Sequence, residues 1–174
     1  MIKIAERTFV NNKMTNITIS DNIVEIENNA FYNNQLTSII IPDSVFKIGN
    51  GAFAHNQLTN IKLSDNLQEI DQFVFLNNQL TNIQIPTSVI KIGNYAFENN
   101  QLVDIMIPNN VTKIGMNAFN NNKLTNIIIP NNIIKIGKNA FARNQLKNVT
   151  LPKRFRSQCR NIFGDIANII FTFV

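Results

Sequence analysis

The chain has 174 residues, a formal net charge of +5, one Cys and no Trp, and 44% of its residues are hydrophobic. Its longest apolar runs, such as residues 127–129, fall far short of the roughly 20 residues that cross a bilayer. Cys159 stands alone, which excludes an internal disulfide and a multi-cysteine zinc site. The first residues also lack the charged and then apolar pattern of a signal peptide.

A period of 22 residues runs through the sequence without insertion or deletion. Its clearest marker is a Phe that recurs as Phe9, Phe31, Phe53, Phe75, Phe97, Phe119, Phe141 and Phe163. A fixed period in this range is typical of a solenoid. We therefore expect one elongated array in which each unit packs only on its neighbours.

Aligned on the Phe, each unit reads L-x-x-I-x-I-P-x-x-V-x-x-I-G-x-x-A-F-x-x-N-Q. The alternation of polar and apolar residues at 82–85 predicts a half-buried strand, which Pro86 ends. Equivalent strands are expected at 16–19, 38–41, 60–63, 104–107, 126–129 and 148–151. A second extended segment at 89–92 is expected on the opposite wall, before a turn at Gly93. Stacked units then form a parallel sheet with about 4.8 Å between rungs.

The two ends of the array differ in pattern. The chain begins in mid-repeat, since Ile2 and Ile4 align with Val24 and Ile26, and no N-terminal cap precedes the first rung. Residues 1–151 are predicted to form the repeat array. From Pro152 the pattern changes, and residues 152–174 are predicted to form a divergent C-terminal capping repeat that ends in a strand.

The unit resembles the BspA-like, or Treponema pallidum-type, leucine-rich repeat family, with Ile85-Pro86, Ile92-Gly93 and Ala96-Phe97 all in register. The resemblance implies a repeat solenoid with a parallel sheet on one face and short extended segments and turns on the other. It also implies a host or microbial protein partner and a place at the cell surface or outside the cell. The family shares no catalytic residues.

An Asn follows the Phe by three residues in seven successive units: Asn12, Asn34, Asn56, Asn78, Asn100, Asn122 and Asn144. A row of identical amides could bind a sugar. The position between the Phe and the Leu instead favours a structural ladder of buried amides that pair with backbone groups of adjacent coils.

The outward positions of the predicted strands form a candidate partner-binding surface, which we call the strand face. It consists of Ser38, Ile40, Asn60, Lys62, Asn82, Gln84, Asp104, Met106, Asn126, Ile128, Asn148 and Thr150. This surface is polar and nearly uncharged, with three apolar residues. Solenoids present broad faces of this kind to partners, although an ordinary solvated sheet face would look the same.

Positive charge is concentrated near the C-terminus, where residues 135–174 contain eight Lys or Arg and one acidic residue. We call its centre the basic end: Lys147, Lys153, Arg154, Arg156 and Arg160. It could bind an anionic polymer or a membrane surface, or it could be a charged cap that prevents end-to-end stacking. No sequence motif supports specific nucleic-acid binding.

A catalytic set is absent from the sequence. Asp104 is the only acidic residue on the strand face, and the sole His, His55, lies at a variable position. We therefore expect no enzyme, cofactor or metal site. The sequence favours a non-enzymatic, adhesin-like protein-binding module, with a structural spacer or an intracellular interaction scaffold as alternatives.

Overall fold

The computed structural model describes residues 1–174 as a solenoid of stacked coils. Each coil passes through two walls, which we call the first wall, containing the strand face, and the second wall. The strands are β1 (Ile2–Ile4), β2 (Ile23–Ile26), β3 (Ser38–Ile40), β4 (Lys47–Ile48), β5 (Asn60–Lys62), β6 (Glu69–Ile70), β7 (Lys91–Ile92), β8 (Lys113–Ile114), β9 (Asn126–Ile128), β10 (Lys135–Ile136), β11 (Asn148–Leu151) and β12 (Ile170–Phe173). All of the strand pairs are parallel, which confirms the predicted fold class.

The second wall contains the more regular hydrogen-bonded ladder. Strands β1, β2 and β4 form one sheet, and β6, β7, β8 and β10 form another. Partners are one repeat apart, as in the pairing of Lys91 with Lys113 and of Ile92 with Ile114. Most of these strands are only two residues long, so each contributes one inward Ile and one outward polar residue.

The first wall is interrupted. It contains a pair, β3 and β5, and a three-stranded sheet of β9, β11 and β12. Residues 82–85 and 104–107 keep the alternation of exposed and buried side chains but form no strand, and neither do residues 16–19. The sequence predicted a strand in all seven units of this wall, whereas the structure has one in four of them.

The core is a continuous column of aromatic rings with aliphatic residues on both sides. Eight Phe rings stack from Phe9 to Phe163, with centroids 5.2 to 6.0 Å apart. The six rings from Phe31 to Phe141 are fully buried. Such rings bury a large apolar area, and the offset stacking adds to it. This column joins all of the coils into one hydrophobic core.

Close packing between coils explains a recurrent glycine after the second wall. A Cβ atom on Gly93 would lie 2.6 Å from the backbone carbon of Asp71 in the preceding coil, far inside van der Waals contact. The glycine therefore serves the approach of two backbones at this turn.

The last unit departs from the repeat after Pro152. A 3-10 helix at Lys153–Gln158 leads into a five-residue α-helix, α1 (Cys159–Phe163), and both replace the second-wall segment. Sequence reasoning predicted a changed cap but no helix. Phe155 and Ile162 are buried, and Gly164 ends α1 with a φ of 73° before β12 pairs with β11.

Candidate functional site

The residues of the strand face lie together on the outer surface of the first wall. Eleven of the twelve are exposed, and Thr150 is half-buried beside β12. Ile40, Met106 and Ile128 are 67%, 83% and 71% exposed. The side chains between them point inward and are buried, as Ile39, Ile105 and Ile127 show. Because alternate side chains point to opposite faces of the wall, the same segments supply residues to the core and to the strand face.

Three polar residues of the strand face, Asp104, Asn126 and Asn148, make side-chain hydrogen bonds, all with neighbouring groups on this wall. Asn148 Nδ2 donates to Asn126 Oδ1 at 2.9 Å. The backbone N–H of Ile105 donates to Asp104 Oδ1 at 2.8 Å, which occupies one oxygen of the only carboxylate on this surface. The strand face therefore presents mainly amide and apolar side chains, with Lys62 and Asp104 as its charged residues.

A shallow groove of about 1050 Å³ crosses the N-terminal half of this wall. Its apolar part includes Ile17 and Ile40, and its charged part includes Asp21, Asp43 and Lys62. The volume is at the upper limit of ligand-binding clefts. The groove combines exposed aliphatic surface with acidic groups at one edge.

Six of the seven predicted amide ladder residues lie between successive coils. The prediction is wrong for Asn12, which lies in the first coil, is exposed, and makes no side-chain hydrogen bond. The Asn78 side chain accepts a 3.0 Å hydrogen bond from the N–H of Leu58 and donates to the carbonyl oxygens of Phe53 and Phe75 at 2.9 and 3.3 Å. Asn34, Asn56, Asn100, Asn122 and Asn144 bond in the same way. These amides satisfy buried backbone groups and are not available as a sugar-binding row.

Two further columns at the turns were missed by sequence reasoning. Their residues have a left-handed backbone, with φ between 54° and 63°. The first column is Arg7, Asn29, Gly51, Phe73, Tyr95, Asn117 and Asn139, and the second is Asn11, Asn33, His55, Asn77, Asn99, Asn121 and Arg143. The frequency of Asn at these positions was the available signal, because Asn tolerates this conformation better than most residues.

The N-terminal half of the second wall contains a column of alternating charge. Lys3 Nζ lies 2.5 Å from Glu25 Oε2, and Lys47 Nζ lies 2.6 Å from Glu25 Oε1. The hydrogen bonds from Lys3 and Lys47 hold the pKa of Glu25 below its ordinary value. Lys91 pairs with Glu69 at 2.5 Å, and that bond raises the pKa of Lys91.

Two residues of the basic end contact other parts of the protein, and the other three are exposed to solvent. The guanidinium of Arg154 donates to the carbonyl oxygens of Asn131 and Ile133, and it lies over the Phe155 ring at 5.1 Å. Arg156 lies 5.0 Å above the ring of Phe173. Lys147, Lys153 and Arg160 are exposed and form no ion pair. Arg154 therefore ties the cap to the preceding coil.

No arrangement of three carboxylate, thiol or imidazole side chains could hold a metal ion. His55 packs 5.0 Å from Tyr32 and lies within 3.4 Å of the Asn77 amide, with no nucleophile beside it. Cys159 is buried, and burial raises the pKa of its thiol, which makes it a poor nucleophile.

Comparison with known proteins agrees with the repeat architecture. A profile of the BspA-type leucine-rich repeat region matches residues 1–101 and 69–173, with six copies. The chain belongs to the BspA-type leucine-rich repeat family. Solenoids of this kind present an extended surface for interaction with proteins. No curated protein shows significant sequence similarity to the chain.

Solved bacterial proteins share the fold. A leucine-rich repeat protein from Bacteroides ovatus is 19% identical over 99% of this chain and 75% of its own, with a TM-score of 0.52. A leucine-rich cell surface protein from Faecalibacterium prausnitzii is 23% identical over 84% of this chain, with a TM-score of 0.50. The match spans only 55% of the Faecalibacterium protein. The structure contains no helix with the length and apolar character that crossing a membrane requires.

Proposed function

We propose that this chain is a non-enzymatic protein-binding module that engages its partner through the strand face and acts as an adhesin-like domain at the cell surface or outside the cell. The observation that carries the proposal is the exposure of Ile40, Met106 and Ile128 on a wall whose other outward residues are polar. Aliphatic side chains spaced along a polar surface can be desolvated by a partner, while the amides between them supply hydrogen bonds.

The groove also favours the strand face as the binding surface. It continues the strand face toward the N-terminal coils, where Asp21 and Asp43 add negative charge beside Ile40. The surface location is supported by family membership and by the Faecalibacterium protein, which is described as a cell surface protein. The family resemblance favours a protein partner from a host or a microbial surface.

The test uses two matched triple variants. The first changes Ile40, Met106 and Ile128 to Ser on the strand face. The control changes Phe46, Ile90 and Ile134 to Ser, since these three are 48%, 45% and 71% exposed but lie on the second wall. Both variants remove exposed apolar surface, so stability and solubility should change alike. Circular dichroism and urea unfolding would verify that both fold.

Binding of the wild type and both variants to immobilised extracellular-matrix proteins and to whole cells would then be measured at low and high salt. We expect the strand-face variant to lose about tenfold or more in affinity and the control to stay near wild type. Equal loss in both variants would contradict the proposal. Binding by the wild type that disappears at high salt would assign it to the basic end instead, and no binding would favour a structural spacer.

A further inference from the structure

A cleft of about 710 Å³ opens on the turn side of the solenoid, between the last regular coil and the cap. Its walls come from Glu98, Asn117 and Arg143 of three successive coils and from Asp165 of the cap. Leu146 and Phe163 add apolar surface. Its volume is within the range of small-ligand sites, and most of its lining residues are polar.

The amide ladder ends at Asn144, which lines the cleft one rung before the cap. β12 pairs with β11 at a spacing of 22 residues, so Ile166 holds the position that Asn144 holds in the coil before it. In the six coils from Asn34 to Asn144, the Asn at this position accepts a hydrogen bond from a backbone N–H that lies 20 residues earlier. Leu102 and Leu124 donate in this way to Asn122 and Asn144, both at 3.0 Å.

The substitution leaves a backbone donor without its partner. Leu146 is the next residue in the Leu column, and Ile166 cannot accept its N–H. That N–H makes no hydrogen bond in the structure, although Leu146 is only 6% exposed and lines the cleft. This N–H therefore has no protein acceptor, and because Leu146 lines the cleft, it can donate to a ligand there.

A second polar group beside the same cleft lacks a hydrogen-bond partner, and this group is an acceptor. Asn117 Oδ1 is fully buried and accepts no hydrogen bond, while its Nδ2 donates to Glu98 Oε1 at 3.3 Å. Burial raises the pKa of Glu98 against the opposing influence of Arg143, which is too far from it to form an ion pair. The cleft thus offers an unpaired backbone donor at Leu146 and a carboxyl acceptor at Glu98, while Asn117 Oδ1 lies beneath its surface.

We propose that this cleft binds a ligand through a carboxamide group, whose oxygen accepts from the N–H of Leu146 as a ladder Asn would. The remaining donors of the ligand face the Glu98 carboxyl group. An N-acetylated amino sugar fits this chemistry, because it joins an acetamido group to several hydroxyl donors, and its apolar face can lie on Leu146 and Phe163. A free carboxamide is the other source of the same recognition group.

The test follows the backbone amide signals of ¹⁵N-labelled protein during titration with acetamide, N-acetylglucosamine and glucose at millimolar concentrations. We expect acetamide and N-acetylglucosamine to shift the Leu146 amide and its neighbours in the cleft, and glucose to leave them unchanged. At least about tenfold tighter binding of N-acetylglucosamine than of acetamide would assign the ligand to the sugar class, whereas equal affinity would assign it to free carboxamides.

Two variants complete the experiment. Ile166→Asn supplies the missing ladder amide, so it should abolish the shifts caused by both amide probes. Ile166→Leu keeps the apolar side chain and should bind as the wild type does. The proposal is overturned by an unmoved Leu146 signal in the wild type, by equal responses to glucose and N-acetylglucosamine, or by undiminished binding in a folded Ile166→Asn protein.

Discussion

The side-chain amide of Asn78 donates a 2.9 Å hydrogen bond to the carbonyl oxygen of Phe53, which lies 25 residues earlier in the chain. The Oδ1 atom of Asn78 accepts a hydrogen bond from the N–H of Leu58, and this N–H has no other acceptor. Asn78→Ala should therefore orphan one buried donor and lower the free energy of unfolding by about 1–3 kcal/mol. The Phe53 carbonyl keeps a second donor, Asn56, at 3.2 Å and adds little to this loss.

Asn82→Ala is the matched control for that measurement, because Asn82 is exposed and its side chain makes no hydrogen bond. Urea unfolding of the two variants compares the same chemical change at a buried and an exposed position. Equal stabilities would remove the structural role of the amide ladder.

The aromatic column predicts a larger loss of stability when a ring at its centre is removed. Phe75 is fully buried, with ring neighbours at 6.0 and 5.4 Å, and Phe75→Ala should cost about 3–5 kcal/mol through lost burial and a residual cavity. Phe46→Ala removes a ring that is 48% exposed and should change the stability by about 0.5 kcal/mol or less. Similar losses in the two variants would show that the column does not dominate the core.

The left-handed turns predict a penalty for β-branched residues. His55 has a φ of 57°, so His55→Val should lower the stability by about 1–2 kcal/mol, whereas His55→Asn should preserve it. Gln57→Val is the control, since Gln57 is exposed on the same turn without a positive φ. Denaturant unfolding should rank His55→Asn above His55→Val, and the reverse order would contradict the prediction.

The ion pairs of Glu25 predict an acid-sensitive contribution to stability. Its pKa in the folded protein lies below the ordinary value of 4.5. The stabilisation is therefore complete at neutral pH and is lost as the pH falls below 4.5 through the folded-state pKa. Glu25→Gln should be less stable than the wild type at pH 7, and the difference should shrink in acid.

Glu69→Gln serves as the comparison for this pH series. The Glu69 side chain is 43% exposed, against 8% for Glu25, so solvent screens its pair with Lys91. Melting temperatures between pH 3 and pH 7 should separate Glu25→Gln from the wild type far more than Glu69→Gln. A constant difference across that range would disprove the role assigned to Glu25.

The sequence was sufficient to predict the stacked coils, because the Phe and Asn columns repeat at one spacing and each marks a single structural position. It also indicated the change of pattern after Pro152. The second-wall ladder could not be predicted with the same force, since two-residue strands such as Lys91–Ile92 are too short to show a period of two. The first wall looked more regular in sequence than it is in the structure.

Several surface features could not be predicted from the sequence, because they arise where the chain departs from the repeat. Phe73 and Tyr95 adopt a left-handed backbone that favours Gly or Asn, and their rings stack at 5.0 Å. No local pattern predicts that conformation for aromatic residues. The C-terminal cleft was equally hidden, although the replacement of the ladder Asn by Ile166 is visible in the sequence. Its consequence, the unpaired N–H of Leu146, requires the three-dimensional neighbours of that coil.

The alternating charges of the second wall also bear on how nearly identical coils find their correct neighbours during folding. Skipping one coil would leave the aromatic and aliphatic contacts almost unchanged. In the N-terminal half, however, the same slip would place Lys3 against Lys47, or Glu25 against Glu69, and like charges in contact oppose it. In the C-terminal half the column no longer alternates, since it consists of Lys91, Lys113 and Lys135. Charge repulsion therefore does not distinguish correct from slipped pairing of the coils there.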